Sequence, residues 1–173
     1  YAMLAKDASV PPLVIVGGKG WGGENLPALI ESLSLCDKVV LCGYVSDAEL
    51  QTLYANARCL LMPSLYEGFG LPILEAMQHG VPTVASSTSS LPEVVGDAGL
   101  LVNPYSEQSM ATAMLRLAQE QALHEVLSER AVVRAQQFSW QRAARETLSL
   151  FEETLAAHEP RPYRFRALEA PLD

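Results

Sequence analysis

Cysteine is scarce in this sequence: Cys36, Cys42 and Cys59 are an odd set of three with no Cys-x-x-Cys spacing. That excludes a disulfide framework and a zinc site, and leaves buried thiols in a reducing compartment as the expectation. Positive charge is short as well, with 12 Lys and Arg against 20 Asp and Glu. The formal charge of -8 and a pI near 4.9 leave no basic face to neutralise phosphates, so nucleic acid is not an expected partner. No run approaches the roughly 18 apolar residues of a membrane span, and no signal peptide is read, so this segment is not expected to insert directly into a membrane. The chain opens on Tyr1 rather than Met. It is therefore expected to belong to something longer.

What is present is ample apolar material. The 173 residues are 49% hydrophobic and 18% charged, a composition that can offset ordering entropy by burial and fits one domain of about 100–200 residues. Five short apolar runs recur: Leu13-Val16, Val39-Cys42, Cys59-Met62, Pro82-Ala85 and Gly99-Val102. None alternates polar with apolar, which predicts strands buried on both faces of a parallel sheet. Helix-compatible stretches separate them. Ser46 to Glu49 reads as an N-cap and first turn, followed by a stripe of Leu50, Leu53, Tyr54 and Ala57. Gly70 to Gln78 reads as another helix, with Pro72 in its first turn and Gly80 past its end. Alternating strands and helices predict an α/β fold with a doubly wound parallel sheet. From about Glu107 the chain reads as a helical tail, divided near Ser139, with Leu148, Phe151 and Leu155 as an apolar stripe on its last piece. Residues 1–158 are thus expected to form the domain and 159–173 an irregular tail.

In an open parallel sheet, ligands sit at the carboxyl ends of the strands. The loop after Met62 is the most unusual one, with Gly68 and Gly70 flanking Phe69 where the chain turns into a helix. Small residues let backbone N–H groups approach a ligand there, and the helix start adds its positive dipole end, which together suit phosphate. Glu75 stands roughly 8 Å further along a helix that is apolar on nearly every face. A carboxylate in that setting needs hydrogen-bond donors, and a ribose diol would supply them. Glu67 lies on the other side of the same phosphate site, where a sugar would be. The two carboxylates could instead be a hydrolase's acid and nucleophile, about 5–9.5 Å apart, but a Gly-rich helix start has no task in hydrolysis. Neither a P-loop nor a complete dinucleotide fingerprint occurs.

The segments EGFGLPILE, AMQHGVPTVAS and LPEVVGDAGLLVNP, in that order, resemble the carboxyl-terminal domain of the retaining glycosyltransferases of family 4, or group 1. The resemblance implies a Rossmann-like half of a GT-B fold that binds a nucleotide-sugar donor. It gives Glu67 the donor-sugar hydroxyls near the reacting carbon, in a catalytic role, and Glu75 the ribose hydroxyls. It also sets the backbone of Gly68, Phe69, Gly70 and Leu71 against the diphosphate and sugar, Tyr44 and Val45 beside the base, and Gly17 and Gly18 along the cleft. Glu93 matches a family position read here as structural, with a donor contact as the alternative. No metal or other cofactor is implied.

The same resemblance implies missing parts. The family domain normally begins with a further strand and a loop carrying an Arg and a Lys. Nothing before Leu13 matches them, so the first strand is expected to be absent and to leave a slot between the first and third strands seen here. An acceptor-binding amino-terminal domain of the same polypeptide is the implied partner, and the isolated chain is expected to bind nucleotide weakly at most. The implied reaction is hexosyl transfer with retention, in polysaccharide or glycoconjugate synthesis. The implied location is the cytoplasm, with peripheral membrane association open for the full-length protein. The loop Gly17-Gly18-Lys19-Gly20-Trp21 resembles mannosyl- and rhamnosyl-transferring members, which tilts the donor from UDP-linked toward GDP-mannose. A nucleotide-sugar epimerase, a phosphorylase of similar architecture and a non-catalytic nucleotide-binding or assembly module remain alternatives. Among other side chains, His79 reads as a helix-end residue, His124 and His158 as solvated, Trp21 and Trp140 as packing anchors, and Lys19 as a solvated loop residue.

Overall fold

Each of the five apolar runs forms a strand in the computed structural model, which describes residues 1–18 and 25–157. In chain order the elements are β1 (Leu13–Val16), α1 (Leu26–Ser32), β2 (Val39–Gly43), α2 (Asp47–Asn56), β3 (Leu60–Met62), α3 (Leu71–Gln78), β4 (Thr83–Ser86), α4 (Leu91–Val95), β5 (Gly99–Val102), α5 (Glu107–Gln119), α6 (Gln121–Ala135) and α7 (Trp140–Ala157). All pairings are parallel, as helical crossovers between successive strands require. The strands form two sheets, β1-β2 and β3-β4-β5, and no pairing joins them among the described residues. β1 and β3 are thus each left with an unpaired edge, the kind of edge that invites association.

Burial on both faces holds for β4 only. All four of its residues are buried, between Ile73, Ala76 and Met77 of α3, Leu91, Val94 and Val95 of α4, and Leu117 of α5 in the surrounding core. Each large apolar side chain sealed there contributes about 1.5–3 kcal/mol. In the smaller sheet the expectation fails. Val14 and Val16 are 42% and 39% exposed, and Val40 and Leu41 are exposed beside them. The reason lies in the layers: Ile30, Leu35 and Val39 pack with Leu13 and Ile15, and that cluster covers one face of β1-β2 alone.

Helix starts follow the sequence signals. Ser46 and Glu49 form a reciprocal capping box on α2, and the Ser106 side chain caps α5 through the Ser109 amide. The helical tail falls into three pieces, breaking at Glu120 and again between Gln136 and Ser139. By its contacts the chain divides into Tyr1–Gln137 and a second unit from Phe138 onward. In that second unit α7 buries no residue. Trp140 is 79% exposed and so is no packing anchor, and Leu148, Phe151 and Leu155 are exposed too. Residues 159–173, together with Lys19, Trp21 and His158, lie outside the described residues.

The thiols depart in part from the reading as buried residues. Cys36 is exposed, whereas Cys59 packs against the cluster of Val84, Leu117 and Leu127. Burial pushes the Cys59 thiol up to about 11. At pH 7 its thiolate fraction falls about 100-fold below that of an ordinary free cysteine. A maleimide reagent should therefore label Cys36 in the native protein and spare Cys59 until denaturant is added. Mass spectrometry of the peptides checks this, and prompt native labelling of Cys59 would contradict it.

Candidate functional site

The turn from β3 into α3 requires Gly70. Its backbone is left-handed at φ +102, it is buried, and a Cβ there would come within 2.9 Å of Leu91 Cδ2. α3 therefore begins without a side-chain cap, and Pro72 in its first turn brings no N–H of its own. The Ile73 amide already donates to the Gly70 carbonyl at 3.0 Å. The amides this helix start can offer are consequently those ahead of Pro72, at Gly68, Gly70 and Leu71.

Glu67 sits in this loop, half-buried, with its carboxylate meeting no donor among the described residues. Its backbone is firmly held. The Glu67 amide donates to Ser89 Oγ at 3.1 Å, while its carbonyl accepts from Ser89 Oγ at 2.5 Å and from Ser90 Oγ at 3.0 Å. Ser89 is left-handed at φ +58, a conformation that costs a non-glycine residue on the order of 1–2 kcal/mol.

Glu75 is half-buried on α3, so the burial cost expected from its apolar helix is only partly incurred. It also has a protein partner, since Tyr54 Oη donates to Glu75 Oε2 at 3.1 Å. Burial of Tyr54, the neighbouring Glu75 charge and that bond all push the phenol upward from its ordinary value, so it remains a donor. Tyr54 stacks on His79 at 6.0 Å between ring centroids, and His79 Nε2 lies 2.6 Å from Gln51 Oε1. His79 is thus the exposed C-cap of α3, as its position suggested. His124 is half-buried rather than fully solvated: its Nε2 lies 2.9 Å from the Arg58 carbonyl, and desolvation lowers its pKa. Glu93 is exposed, and its backbone carbonyl accepts from Arg134.

The remaining candidates belong to the smaller sheet. Gly17, at φ +129, donates to the Gly43 carbonyl at 2.8 Å, which ties the end of β1 to the end of β2. Gly18 and Tyr44 are exposed, and Val45 is half-buried, lining an open hollow of about 420 Å³ with Cys42, Ala48, Glu49, Thr52 and Leu53. A second hollow of about 520 Å³, along β5 and α5, holds none of the candidate residues. Strand pairing does not connect the Gly17, Gly18, Tyr44 and Val45 group to the Glu67-to-Glu75 segment. Sequence reasoning missed Tyr54, Ser89 and Ser90. For Tyr54 a signal existed, because a buried phenol on the apolar stripe of α2 needs a partner and Glu75 needs a donor. For the serines there was none, since hydroxyls in a loop are common.

A sequence model of the family "Glycosyl transferases group 1" matches residues 1–134. The chain belongs to this family. Among relatives of this glycosyltransferase chain, O-antigen chain mannosyltransferase B of Escherichia coli is 42% identical over 153 residues, covering 88% of the chain and 40% of that protein. MMP alpha-(1->4)-mannosyltransferase of Mycolicibacterium hassiacum is 39% identical over 132 residues, covering 74% and 32%. Sucrose-phosphate synthase from Thermosynechococcus elongatus superposes with a TM-score of 0.77 at 29% identity, over 91% of this chain and 42% of that one. The glycosyltransferase chain described here therefore spans less than half the length of these relatives. Its mixed α/β architecture with parallel sheets matches that of the sucrose-phosphate synthase structure. No described helix is long and apolar enough to cross a membrane.

Proposed function

We propose that this chain is the donor-binding part of a retaining glycosyltransferase. It would take a nucleotide-linked hexose and pass the sugar to an acceptor hydroxyl presented by an amino-terminal domain of the same polypeptide. The observation that carries the reading is the Glu67 carboxylate, which meets no donor among the described residues, stands on a fixed backbone, and precedes an uncapped helix start whose Glu75 follows eight positions later. A sugar ring offers hydroxyl donors to the first carboxylate, the helix start takes the diphosphate, and Glu75 takes the ribose. Leaving-group charge is stabilised by backbone dipoles at α3, without a metal. Mannosyltransferases among the relatives, one of them named for an O-antigen chain, support mannose as the sugar and polysaccharide synthesis as the setting; GDP-mannose as donor and the cytoplasm as the place of reaction belong to the same proposal.

Calorimetry on the full-length protein with GDP, UDP, GDP-mannose and UDP-glucose tests this. Glu75→Gln is expected to weaken nucleotide binding about 10–100-fold, the worth of hydrogen bonds to a charged group. Tyr54→Phe, which removes a neutral donor that merely orients Glu75, should cost about threefold. Unchanged nucleotide affinity in Glu75→Gln would remove the ribose assignment. Interconversion of free nucleotide-sugars without an acceptor would favour an epimerase instead.

A further inference from the structure

The loop between β4 and α4 is not accounted for by the two carboxylates. It carries Ser87, Thr88, Ser89 and Ser90 in succession, and the last three all bond the backbone of the loop after β3. Thr88 Oγ1 donates to the Leu65 carbonyl at 3.2 Å. Ser89 Oγ both accepts from the Glu67 amide at 3.1 Å and donates to the Glu67 carbonyl at 2.5 Å. Ser90 Oγ lies 3.0 Å from the Glu67 carbonyl and 3.1 Å from that of Phe69, which share its single proton. Both backbone polar groups of Glu67 are thus occupied by side chains of one neighbouring loop. Leu91, next in sequence, packs against Gly70 and adds an apolar contact to the same clamp.

Ser89 holds its hydroxyl in place from a left-handed backbone at φ +58, where glycine would be unstrained. A position that disfavours any side chain keeps one here, and the feature glycine could not supply is the hydroxyl. We infer that Ser89 and Ser90 are positioning residues that fix the Glu67 carboxylate at the donor sugar by gripping its backbone, without touching substrate themselves. The inference rests on Glu67 being the donor-sugar carboxylate. A displacement of even 1 Å at such a group is costly to turnover, whereas the ribose held by Glu75 on α3 would not be affected, and Ser89 bonds Glu67 alone and not the amides of the helix start.

The test uses the full-length protein with GDP-mannose and UDP-glucose as donor probes. Ser89→Gly relieves the backbone and is expected to keep or raise Tm, leave GDP and UDP affinity unchanged, and lower kcat about tenfold. Exchange of the Glu67 amide should quicken by about tenfold, because its acceptor is gone. Ser90→Ala should lower kcat in the same manner, and Ser90→Thr, which retains the hydroxyl, should restore it. Wild-type kcat in both Ser89→Gly and Ser90→Ala would overturn the inference. So would a parallel fall in Tm, nucleotide affinity and kcat, which marks a merely structural clip. If the wild-type protein neither binds these nucleotides nor transfers either sugar, the functional reading fails. The clamp is then judged by exchange alone, and unaltered Glu67 protection in Ser89→Gly would overturn it.

Discussion

Glu67→Gln in the full-length protein is expected to lower sugar transfer by about 10²–10³-fold, the scale on which loss of one preorganised electrostatic group acts. The substitution preserves shape and leaves both backbone bonds to Ser89 untouched. The carboxylate has no donor among the described residues, so its removal breaks no bond within the fold. Stability should therefore remain within about 0.5 kcal/mol of wild type. Nucleotide affinity should also persist, because the ribose is assigned to Glu75 on a different element. Steady-state kinetics with calorimetry and thermal melting separate these effects. A loss of less than about threefold in kcat would place the reacting carbon elsewhere, since the effect expected of such a group is far larger.

The largest effect on stability is expected from Gly99→Ala. Gly99 opens β5 and pairs with Thr83, and a Cβ there would lie 2.5 Å from the Thr83 carbonyl oxygen and 2.9 Å from Val95 Cγ1. The first obstacle is backbone of β4, a strand buried along its whole length, and it cannot swing aside as a side chain would. Overpacking of this kind costs about 1–3 kcal/mol, and a rigid main-chain partner puts the expected value at the upper end. Tm should fall by about 10 °C. Gly68→Ala is the control, because nothing lies within 4 Å of the Cβ it would add. Its Tm should remain within about 2 °C of wild type. Equal melting of the two variants would show that β4 and β5 can part without cost.

Most of the larger sheet was legible in sequence because its signals are local. An unbroken apolar run, a Pro in the first turn and a Gly past the last are consequences of backbone and side-chain chemistry within a few residues, and α3 follows them from Leu71 to Gln78. The failures arise where a remote partner decides. Val14 and Val16 read as doubly buried, but whether a second layer covers a strand is not a property of the strand. His124 reads as a solvated residue of a charged helix, but the Arg58 carbonyl, far away in sequence, lies against it. Glu75 was expected to wait for a ligand, yet Tyr54 on the preceding helix already meets one of its oxygens.

The sequence by itself determined the family, the order of strands and helices, and the two carboxylates spaced across a glycine-rich helix start. Those are carried by residue identity and spacing along the chain. Only the tertiary structure decided that Tyr54 orients Glu75, and that Ser89 and Ser90 grip Glu67 from across the β3–β4 crossover. Each of these depends on hydrogen-bonding groups brought together by strand pairing or helix packing. Such bonds are short in space and long in sequence, so no local pattern records them.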